Sequence, residues 1–570
     1  MRDRARWWLM VALLLGACIT LAFWGRDSSQ AQEPPPGVLI TGRVKDTQNV
    51  PVVEAEVRLL TASDEVVAEA LTQADGRYAL AAPEHVPDSL TIRIDRPHFE
   101  VAVVELGATD VRTLKLGEPL VVPDTVLPRA ITPAFWIAAV IFAAMLLIVA
   151  TGRVHTTLAA LAGASLVFAI SYLGHPISEG LFIFDFQRAI QYIDWNVIFL
   201  IMGMMIVIAV VERTGIFQWL AFAAYRASGG RLWLLLPILM AITGVASALL
   251  DNVTTMLLMT PISIQIALAL GINPLALLMP EVMASNVVGI STLIGTPTNI
   301  LIGSFANISF NDFLKNLTPG VLLAMVGLVI YSELVYRKSL RAPTGDGTSA
   351  MLLERLAERA KITEPGHLRK AGWIGAGMLL LFVFGERIHL LPAVTALMGA
   401  TALMLWIRPD IEEMIEAVDW TTLVFFMSLF IVVGAIQEVG LVSLIATTIG
   451  DIVRGNLLVA ILSITWFSAI LSTLIANIPF TAAMLPVVGY LSATVPGAEG
   501  KVLFYCLSVG SAMGGNGSLI GASANMVTAG IAERAGHPIT YVYFLKKGFP
   551  ALLLTVTLAL IWLLIRFLVL

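Results

Sequence analysis

The chain has 570 residues, of which 58% are hydrophobic and 13% are charged, and its net charge is −5. A soluble globular protein is about half apolar and about a quarter charged, so this composition indicates a membrane protein. The two cysteines lie in separate apolar stretches, which excludes a disulfide framework, and the lack of a basic face outside one loop argues against a nucleic-acid partner.

The N-terminus has the pattern of a targeting segment. Three arginines within the first six residues precede the apolar run Trp7–Trp24, and the stretch Ser28-Ser29-Gln30-Ala31 follows it. This pattern is typical of a signal peptide that is removed or of an anchor that stays in the membrane. We therefore assign residues 1–32 to such a segment and leave both outcomes open.

Residues 37–118 have a different pattern, that of a small β domain. Short alternating runs such as Leu90–Ile94, separated by turns such as Ala74-Asp75-Gly76, predict an antiparallel β-sandwich. Three pieces resemble the carboxypeptidase regulatory-like domain: Ile40–Val44, Glu54–Val57 and Asp75–Tyr78. That resemblance implies a structural module rather than a catalyst.

After Pro133 the chain is apolar almost to its end. Two stretches, 233–267 and 457–491, are interrupted halfway by polar residues and proline, and they predict re-entrant hairpins. Ten others are long enough to span a bilayer, namely 134–150, 156–173, 195–211, 279–303, 317–335, 371–384, 390–407, 421–435, 502–530 and 549–568.

The two halves of this region are copies of one unit. A spacing of 225 residues relates Asp194-Trp195 to Asp419-Trp420, Gly215 to Gly440, Asn252 to Asn477 and Pro261 to Pro486, and a spacing of 226 relates Gly295 to Gly521 and Asn299 to Asn525. Chance matches would not keep one spacing over so long a stretch. The sequence therefore predicts two repeats, 134–336 and 371–570, joined by a linker at 337–370.

The charged loops predict how these repeats are oriented. Between residues 336 and 370 eight basic residues outnumber four acidic ones, and the loop 212–231 adds three arginines. The positive-inside rule places both loops in the cytoplasm and the β-sandwich outside. Each repeat has five spans and one hairpin, and because five is odd the second repeat enters the membrane inverted. Inverted repeats with interruptions near mid-membrane are typical of secondary transporters.

Four polar interruptions form the candidate binding site: the two hairpin tips and the breaks in spans 279–303 and 502–530. In hydrocarbon, unwound backbone persists only where it lines a cavity or binds a ligand; helix N-termini favour anions and freed carbonyls favour cations. We therefore expect substrate, and Na+ or H+ as a coupling ion, to bind at Asp251, Asn252, Thr254, Thr255, Gly295, Thr296, Thr298, Asn299, Asn477, Thr481, Asn516, Ser518, Gly521, Ser523 and Asn525.

Asp251 is the one charged candidate. It interrupts the apolar stretch from Leu232 to Ala269, where a carboxylate is costly unless it is paired, hydrated or protonated. A helix cap at the hairpin tip is the structural alternative, and it applies to the asparagines at both tips as well. Glu281 is either a pathway carboxylate or an interfacial one, and His155 is interpreted as a solvated loop residue.

The same segments resemble the ion-transporter superfamily, within it the branch of arsenite permeases, NhaD-type sodium/proton antiporters and the melanosomal P protein, whose shared domain is citrate-transporter-like. The resemblance covers residues 134 to 570 and implies an elevator-type carrier, in which hairpins and broken spans move against a scaffold that dimerises. The stretches that carry it are Leu250–Thr255, Glu281–Asn286, Gly295–Asn299, Ala476–Phe480 and Gly514–Asn525.

This chain departs from the branch patterns at several positions. The dicarboxylate branch has Ser-Asn-Thr motifs at both tips, of which only Asn252 and Asn477 match here. The arsenite and antiporter branch often has Asp in both tips and Gly-Asp-Pro-Pro-Asn in the first broken span, where this chain has Ala476, Thr296 and Thr298. The chain therefore has fewer intramembrane carboxylates than that branch.

These features predict an elevator-type secondary active transporter that moves a small anion, or exchanges ions, with H+ or Na+ coupling. We expect it to lie in the plasma (inner) membrane as a homodimer surrounded by lipid. Arsenite efflux and dicarboxylate or citrate transport are the alternatives within transport, and a membrane-anchored receptor is the alternative outside it. We expect no enzyme, because the protease, hydrolase and P-loop motifs are absent from the sequence.

Overall fold

The computed structural model describes residues 38–341, apart from positions 48, 84, 152 and 230, and residues 362–569. The predicted targeting segment 1–32 and most of the predicted linker lie outside the described residues. The chain divides into two compact units, Met1–Ala130 and Ile131–Leu570.

The first unit is a β-sandwich with one short helix. One sheet has the strand order β4-β1-β7, with β8 also paired to β1, and the other has the order β3-β2-β5-β6. Alternate residues such as Ile40, Val57, Leu59 and Ile92 are fully buried, which is how two facing sheets form a core. The elements are β1 Leu39–Asp46, β2 Glu56–Thr61, β3 Val66–Leu71, β4 Arg77–Ala81, β5 Leu90–Asp95, β6 Ala102–Glu105, α1 Ala108–Lys115, β7 Leu120–Val121 and β8 Thr125–Leu127.

The predicted sandwich is confirmed, but its strands are not all antiparallel. β1 pairs in parallel with both β7 and β8. The chain reaches β7 only after it has passed through the other sheet and α1, so it returns to β1 by a crossover, which is the connection that parallel strands need. The last strand ends at Leu127, beyond the end of the predicted domain at 118.

Tyr78 is expected to make the sandwich less stable at high pH. Its side chain is 3% exposed, and among the described residues its hydroxyl has no hydrogen-bond partner. Burial raises the pKa of Tyr78 from 10.0 to about 12, because the charged phenolate would lose its hydration. Between pH 10 and pH 12 the folded sandwich keeps a proton that the unfolded chain has lost, so the free energy of unfolding falls by about 2–3 kcal/mol over that range.

This expectation is checked by titrating the tyrosinate absorbance of the full-length protein and of Tyr78→Phe. The absorbance changes of the other tyrosines are the same in both proteins and cancel when one titration curve is subtracted from the other. The difference curve, which reports Tyr78 alone, is expected to be centred near pH 12. A difference curve centred at the ordinary tyrosine value of about 10 would show that the hydroxyl is hydrated.

The second unit is helical, and its described residues form two runs of ten α-helices. The first run contains α2 Pro133–Thr151, α3 Thr156–Ala169, α4 Phe186–Gln191, α5 Trp195–Glu212, α6 Ile216–Ser228, α7 Leu232–Leu249, α8 Asn252–Ala269, α9 Leu275–Gly289, α10 Pro297–Ala306 and α11 Phe310–Arg341. The second run contains α12 Pro365–Phe384, α13 Pro392–Ile407, α14 Ile411–Glu416, α15 Trp420–Glu438, α16 Leu441–Val453, α17 Leu457–Leu474, α18 Asn477–Thr494, α19 Val502–Gly514, α20 Ser523–Arg534 and α21 Tyr541–Leu564.

Corresponding helices of the two runs begin in the same way. Asp194 and Asp419 accept hydrogen bonds from the first backbone N–H groups of α5 and α15. Between α5 and α6, and again between α15 and α16, the chain turns at a glycine with positive φ, Gly215 at 76° and Gly440 at 90°. A side chain would strain this left-handed conformation, so glycine recurs at both turns.

Ten of the described helices are long and apolar enough to cross a membrane, which confirms a polytopic α-helical membrane protein. The predicted spans 279–303 and 502–530 are each two shorter helices, α9 with α10 and α19 with α20, so the chain breaks where the sequence predicts it. Each hairpin arm has 18 residues, about 27 Å of helix. That length also allows a full crossing, so the re-entrant arrangement stays a prediction.

Candidate functional site

The polar interruptions come together because the two runs pack across each other. We call α7–α8 hairpin 1, α17–α18 hairpin 2, α9–α10 broken span 1 and α19–α20 broken span 2. The short helix α10 packs against α18, and its counterpart α20 packs against α8. The second half of each broken span therefore lies on the hairpin of the other run.

Broken span 1 is held in its unwound form by its own side chains. The Asn299 amide nitrogen donates to the carbonyls of Ile290 at 2.9 Å and Thr292 at 2.7 Å, both freed where α9 ends. The Thr292 hydroxyl donates to the carbonyl of Ala248 in hairpin 1. Thr296 is extended and accepts from the Asn299 N–H at 3.2 Å, and Pro297 begins α10. The carbonyls of Ile290 and Thr292 thus have partners inside the protein.

Broken span 2 repeats these contacts at equivalent positions. The Asn525 amide nitrogen donates to the carbonyls of Gly515 at 2.7 Å and Ser518 at 2.9 Å. The Ser518 hydroxyl donates to the carbonyl of Thr473 in hairpin 2. Asn299 and Asn525 therefore hold the two breaks in the same way.

Asn525→Ala is expected to destabilise the protein because it leaves two buried carbonyls without donors, at about 1–3 kcal/mol for each unsatisfied group. Thermal unfolding of the purified protein in detergent measures the loss. Asn456→Ala is the matched control, since Asn456 caps α17 and its loss costs about 1 kcal/mol. Equal melting temperatures for the two variants would contradict the bracing role of Asn525.

The two hairpin tips differ in their capping. In hairpin 1 the Asp251 carboxylate accepts from the N–H groups of Val253 at 2.8 Å and Thr254 at 2.9 Å, and from the Thr254 hydroxyl at 2.6 Å. In hairpin 2 the equivalent residue is Ala476, which has no side chain to cap α18. The Asn477 N–H donates to the carbonyl of Gly521 at 3.2 Å, and the Thr481 hydroxyl bonds back to the Asn477 carbonyl at 2.7 Å.

A cluster of asparagines joins the two runs in the interior. Asn252 donates to Asn286 at 2.9 Å, and Asn286 donates to Asn516 at 2.9 Å and to Asn525 at 3.0 Å. A further bond runs from the Ser508 hydroxyl to the Asn299 carbonyl oxygen at 2.6 Å. Asn286 and Ser508 are not among the predicted site residues, although each is a polar residue within an apolar helix. All of these side chains are buried.

A cavity of about 450 Å³ lies where the hairpin tips meet the long helices α5 and α15. Both tips reach it, as do the first residues of α10 and α20. The tips contribute Leu250, Asp251, Val253, Thr254, Ala476, Ile478 and Pro479, and the broken spans contribute Pro297 and Ser523. The cavity is therefore a single space that all four polar interruptions border.

The charges around this cavity are mainly acidic. Glu212, Asp251 and Asp419 line it, together with His155, and none of its lining residues in the described part of the chain is Lys or Arg. Met204, Met205, Ile208 and other apolar residues of α5 form part of the remaining wall. His155 is an exposed residue of the loop before α3, as the sequence predicts, and it also caps α3 and borders the cavity.

The predicted site residues fall into two groups in the structure. Asp251, Thr254 and Ser523 border the cavity. The other twelve lie behind it, at the breaks, in the asparagine cluster or within the hairpins: Asn252, Thr255, Gly295, Thr296, Thr298, Asn299, Asn477, Thr481, Asn516, Ser518, Gly521 and Asn525. Within the described residues no group of three or more His, Cys, Asp or Glu side chains is arranged to hold a metal ion.

Comparison with known proteins identifies the helical unit. Residues 144–501 match the family model for citrate transporters, CitMHS, and residues 39–117 match the carboxypeptidase regulatory-like domain. The chain belongs to the citrate transporter family. It is therefore an integral membrane protein of a secondary transporter family, whose substrate is a small molecule or ion.

Curated relatives agree with this family. The chain is 37% identical over 437 residues to the uncharacterized transporter Rv2684 of Mycobacterium tuberculosis, covering 76% of this chain and 99% of that protein. It is 30% identical over 546 residues to the human P protein, covering 82% of this chain and 64% of that protein. The P protein match confirms the branch of the ion-transporter superfamily that the sequence motifs indicate.

A solved structure has a similar fold. The YdaH transporter of Alcanivorax borkumensis matches with a TM-score of 0.50 and 13% identity, over 72% of this chain and 98% of that one. At this identity the match supports the helical arrangement and not a substrate.

Proposed function

We propose that the chain is an elevator-type secondary transporter that moves a small anion through the central cavity, with H+ or Na+ as the coupling ion. The observation that carries this proposal is the cavity itself, because both hairpin tips and the first residues of α10 and α20 border it. Paired discontinuous helices that meet at one space are the way secondary transporters build a site inside a membrane.

Helix N-termini of the second run supply the anion site. The residues that precede α18 and α20 are Ala476 and Ala522, and neither has a side chain that accepts from the first-turn N–H groups. Asp251 and Thr296 cap the equivalent helices of the first run. The uncapped ends of α18 and α20 therefore present positive dipole ends to an anion. The free N–H groups come mainly from α20, because in α18 the Asn477 N–H bonds the Gly521 carbonyl and Pro479 has no N–H.

Carboxylates of the same cavity supply the cation site. Asp251 and Asp419 both border it, and each already accepts hydrogen bonds from neighbouring N–H and hydroxyl groups. A cation near them would neutralise the charge that the anion brings into the low-dielectric interior. This arrangement suits transport in which an anion and a cation move together or in exchange.

A second cavity supports inverted repeats and alternating access. It has a volume of about 300 Å³ and is bordered by Asn196, Val197 and Leu200 of α5 and by His389 before α13. At the repeat spacing of 225 residues, the α5 residues correspond to Thr421, Thr422 and Phe425, which border the central cavity. The hairpin tips border the larger cavity and not the smaller one, as expected when one of two symmetry-related pathways is open to the site.

The sequence supports a proposal for the orientation and assembly of the protein. We propose that the basic linker lies in the cytoplasm and the β-sandwich outside the plasma (inner) membrane, in keeping with the positive-inside rule. We also propose a homodimer, in which α5 and α15 belong to the fixed scaffold while the hairpins and broken spans move. Exposed apolar side chains on outer helices, among them Leu147, Leu166 and Trp373, suit contact with lipid or with a second copy.

The purified full-length protein in lipid vesicles provides the test. Uptake of citrate, succinate, inorganic phosphate and arsenite is measured with imposed pH or Na+ gradients, with protein-free vesicles as the control. We expect one of these compounds to accumulate when a gradient is imposed. Absence of uptake for all of them under every gradient would contradict the proposal. Deleting the whole sandwich, residues 37–127, is expected to leave the flux intact, whereas a receptor would lose its function.

A further inference from the structure

Glu281 is a buried carboxyl group outside the central cavity. It lies in α9 and is 0% exposed. Its Oε2 atom accepts from the Ser263 hydroxyl at 2.8 Å and from the Thr243 hydroxyl at 3.4 Å. Those two residues belong to the two arms of hairpin 1, so this single carboxyl group links both arms to broken span 1. Its Oε1 atom has no hydrogen-bond partner among the described residues.

No cation compensates Glu281 in the described part of the chain. The one titratable group of hairpin 1 is Asp251, and it forms no ion pair or hydrogen bond with Glu281. The other long helices that pack on α9 are α11, α19, α20 and α21. No described titratable group of these helices forms an ion pair or hydrogen bond with Glu281 either. Up to residue 340 of α11, the titratable groups of these four helices are Asp312, Lys315, Tyr331, Glu333, Tyr336, Arg337 and Lys338 on α11, Tyr505 and Cys506 on α19, Glu533 and Arg534 on α20, and Tyr541, Tyr543, Lys546 and Lys547 on α21.

Glu438 is a second buried glutamate of the helical unit, and unlike Glu281 it has a cationic partner. It is also buried, near the end of α15, but Arg188 lies 3.3 Å from its Oε2 atom and Tyr192 donates to the same atom. An ionised carboxylate in an apolar interior is costly without such a partner. Two hydroxyl groups do not supply that compensation for Glu281, so its stable form in this conformation is the neutral acid.

A row of hydroxyl groups continues from Glu281 towards the break in broken span 1. One helical turn further along α7 and α9, Ser247 and Ser285 lie with their hydroxyl oxygens 3.0 Å apart, and Ser247 also bonds the Ser285 carbonyl. The second run repeats the serine contact, since Ser472 donates to the Ser511 carbonyl at 2.5 Å.

The second run has no carboxyl group at the equivalent place. At the repeat spacings Glu281 corresponds to Leu507 and Thr243 to Ser468, and the Ser468 hydroxyl has no partner among the described residues. The hydroxyl row is therefore common to both runs, whereas the carboxyl group belongs to the first run alone. This asymmetry sets Glu281 apart from the polar contacts that merely hold the repeat together.

We propose that Glu281 is the proton-binding site of the transport cycle, occupied while hairpin 1 packs on α9 and emptied when the hairpin arms separate and water reaches the carboxyl group. The inference rests on the proposed function and names its coupling ion as H+. The O–H bond forms with a proton taken from water on one side of the membrane and breaks to return it on the other. Na+ is disfavoured because only three side-chain oxygens converge there besides the free Oε1 atom.

Infrared spectroscopy tests the protonation directly. Full-length protein in lipid vesicles is compared with Glu281→Gln, which keeps the shape and the accepting oxygen but cannot ionise. We expect the carbonyl band of a neutral carboxylic acid at neutral pH in the wild type, lost in Glu281→Gln and kept in the matched variant Glu438→Gln. If the wild-type minus Glu281→Gln difference spectrum shows no such band, the proposal is overturned, whatever the transport result.

Transport by the same vesicles tests the coupling. The protonated fraction of a titrating group changes by about tenfold per pH unit above its pKa, so wild-type flux should follow an imposed pH gradient steeply. Glu281→Gln should lose that dependence while still exchanging the anion between equal concentrations on both sides. A mutant that keeps the wild-type gradient dependence, or a wild type driven by Na+ alone, would overturn the coupling role. If the wild type moves none of the anions, the proposed function fails and the coupling role with it, while the infrared band still decides the protonation.

Discussion

Asp251→Asn is expected to reduce flux by about tenfold or more, a loss of about 1.4 kcal/mol in the binding or translocation step. Asparagine caps a helix about as well as aspartate, so the accepted bonds from Val253 and Thr254 can persist. The substitution removes one of the three acidic groups that line the central cavity and changes little else. The melting temperature should therefore hardly change, which separates a role in ion binding from a role in capping.

Asp194→Asn is the control for this prediction. Asp194 caps α5 through bonds to the N–H groups of Asn196 at 3.0 Å and Val197 at 3.3 Å, and it does not border either described cavity. Flux in vesicles should be normal in Asp194→Asn and lost in Asp251→Asn. If Asp251→Asn transports like the wild type, Asp251 acts only as a helix cap and its charge has no role in transport.

The sequence predicts the positions of the breaks well, because the cause of each break is local. Gly295 and Pro297 together disfavour a continuous helix at that point, and the same holds for the glycine-rich stretch before α20. The repeat spacing adds a second, independent signal for Gly521 and Asn525. These features depend on residue type and order, and they need no knowledge of what packs against them.

Side-chain direction is what the sequence does not predict. Asn299 and Asn525 are both polar residues at a break, and a ligand contact is a reasonable expectation for each. In the structure they turn inward and bond the carbonyls of their own span. Unwound backbone must be satisfied somewhere, and only the tertiary arrangement shows that these amides do it.

The cavity also depends on distant parts of the chain. Glu212, His155 and Asp419 come from the ends of three different helices, and the sequence treats two of them as interfacial or loop residues. They approach the hairpin tips because α5 and α15 pack beside them. In the β-sandwich, the parallel strands β7 and β8 are unpredicted for the same reason: partner choice is set by the path of the chain and not by the alternation within a strand.

Gly295→Ala is expected to destabilise the protein and abolish flux together. A Cβ atom at this position would lie 2.8 Å from the Ser247 carbonyl oxygen and 2.9 Å from the Ala248 Cα, and closer still to the Gly289 carbonyl oxygen. These are backbone atoms of hairpin 1 and of the break, so no side chain can move aside. Overpacking of this kind costs about 1–3 kcal/mol and would push the hairpin away from broken span 1.

Gly521→Ala should have a similar but smaller effect, because the added Cβ would lie 2.8 Å from the Gly515 carbonyl oxygen and 2.9 Å from that of Ser472. Gly372→Ala is the matched control, since a Cβ there meets nothing within 4 Å and alanine stabilises a helix interior by about 0.5–1 kcal/mol relative to glycine. Thermal unfolding in detergent measures the stability of each variant, and flux in vesicles measures its transport.

The asparagine cluster joins the two breaks. The double variant Gly295→Ala/Gly521→Ala should therefore lose an amount of stability different from the sum of the two single losses. Normal flux in Gly295→Ala would mean that hairpin 1 does not pack against the break, and the central cavity would then lose the wall that holds Asp251.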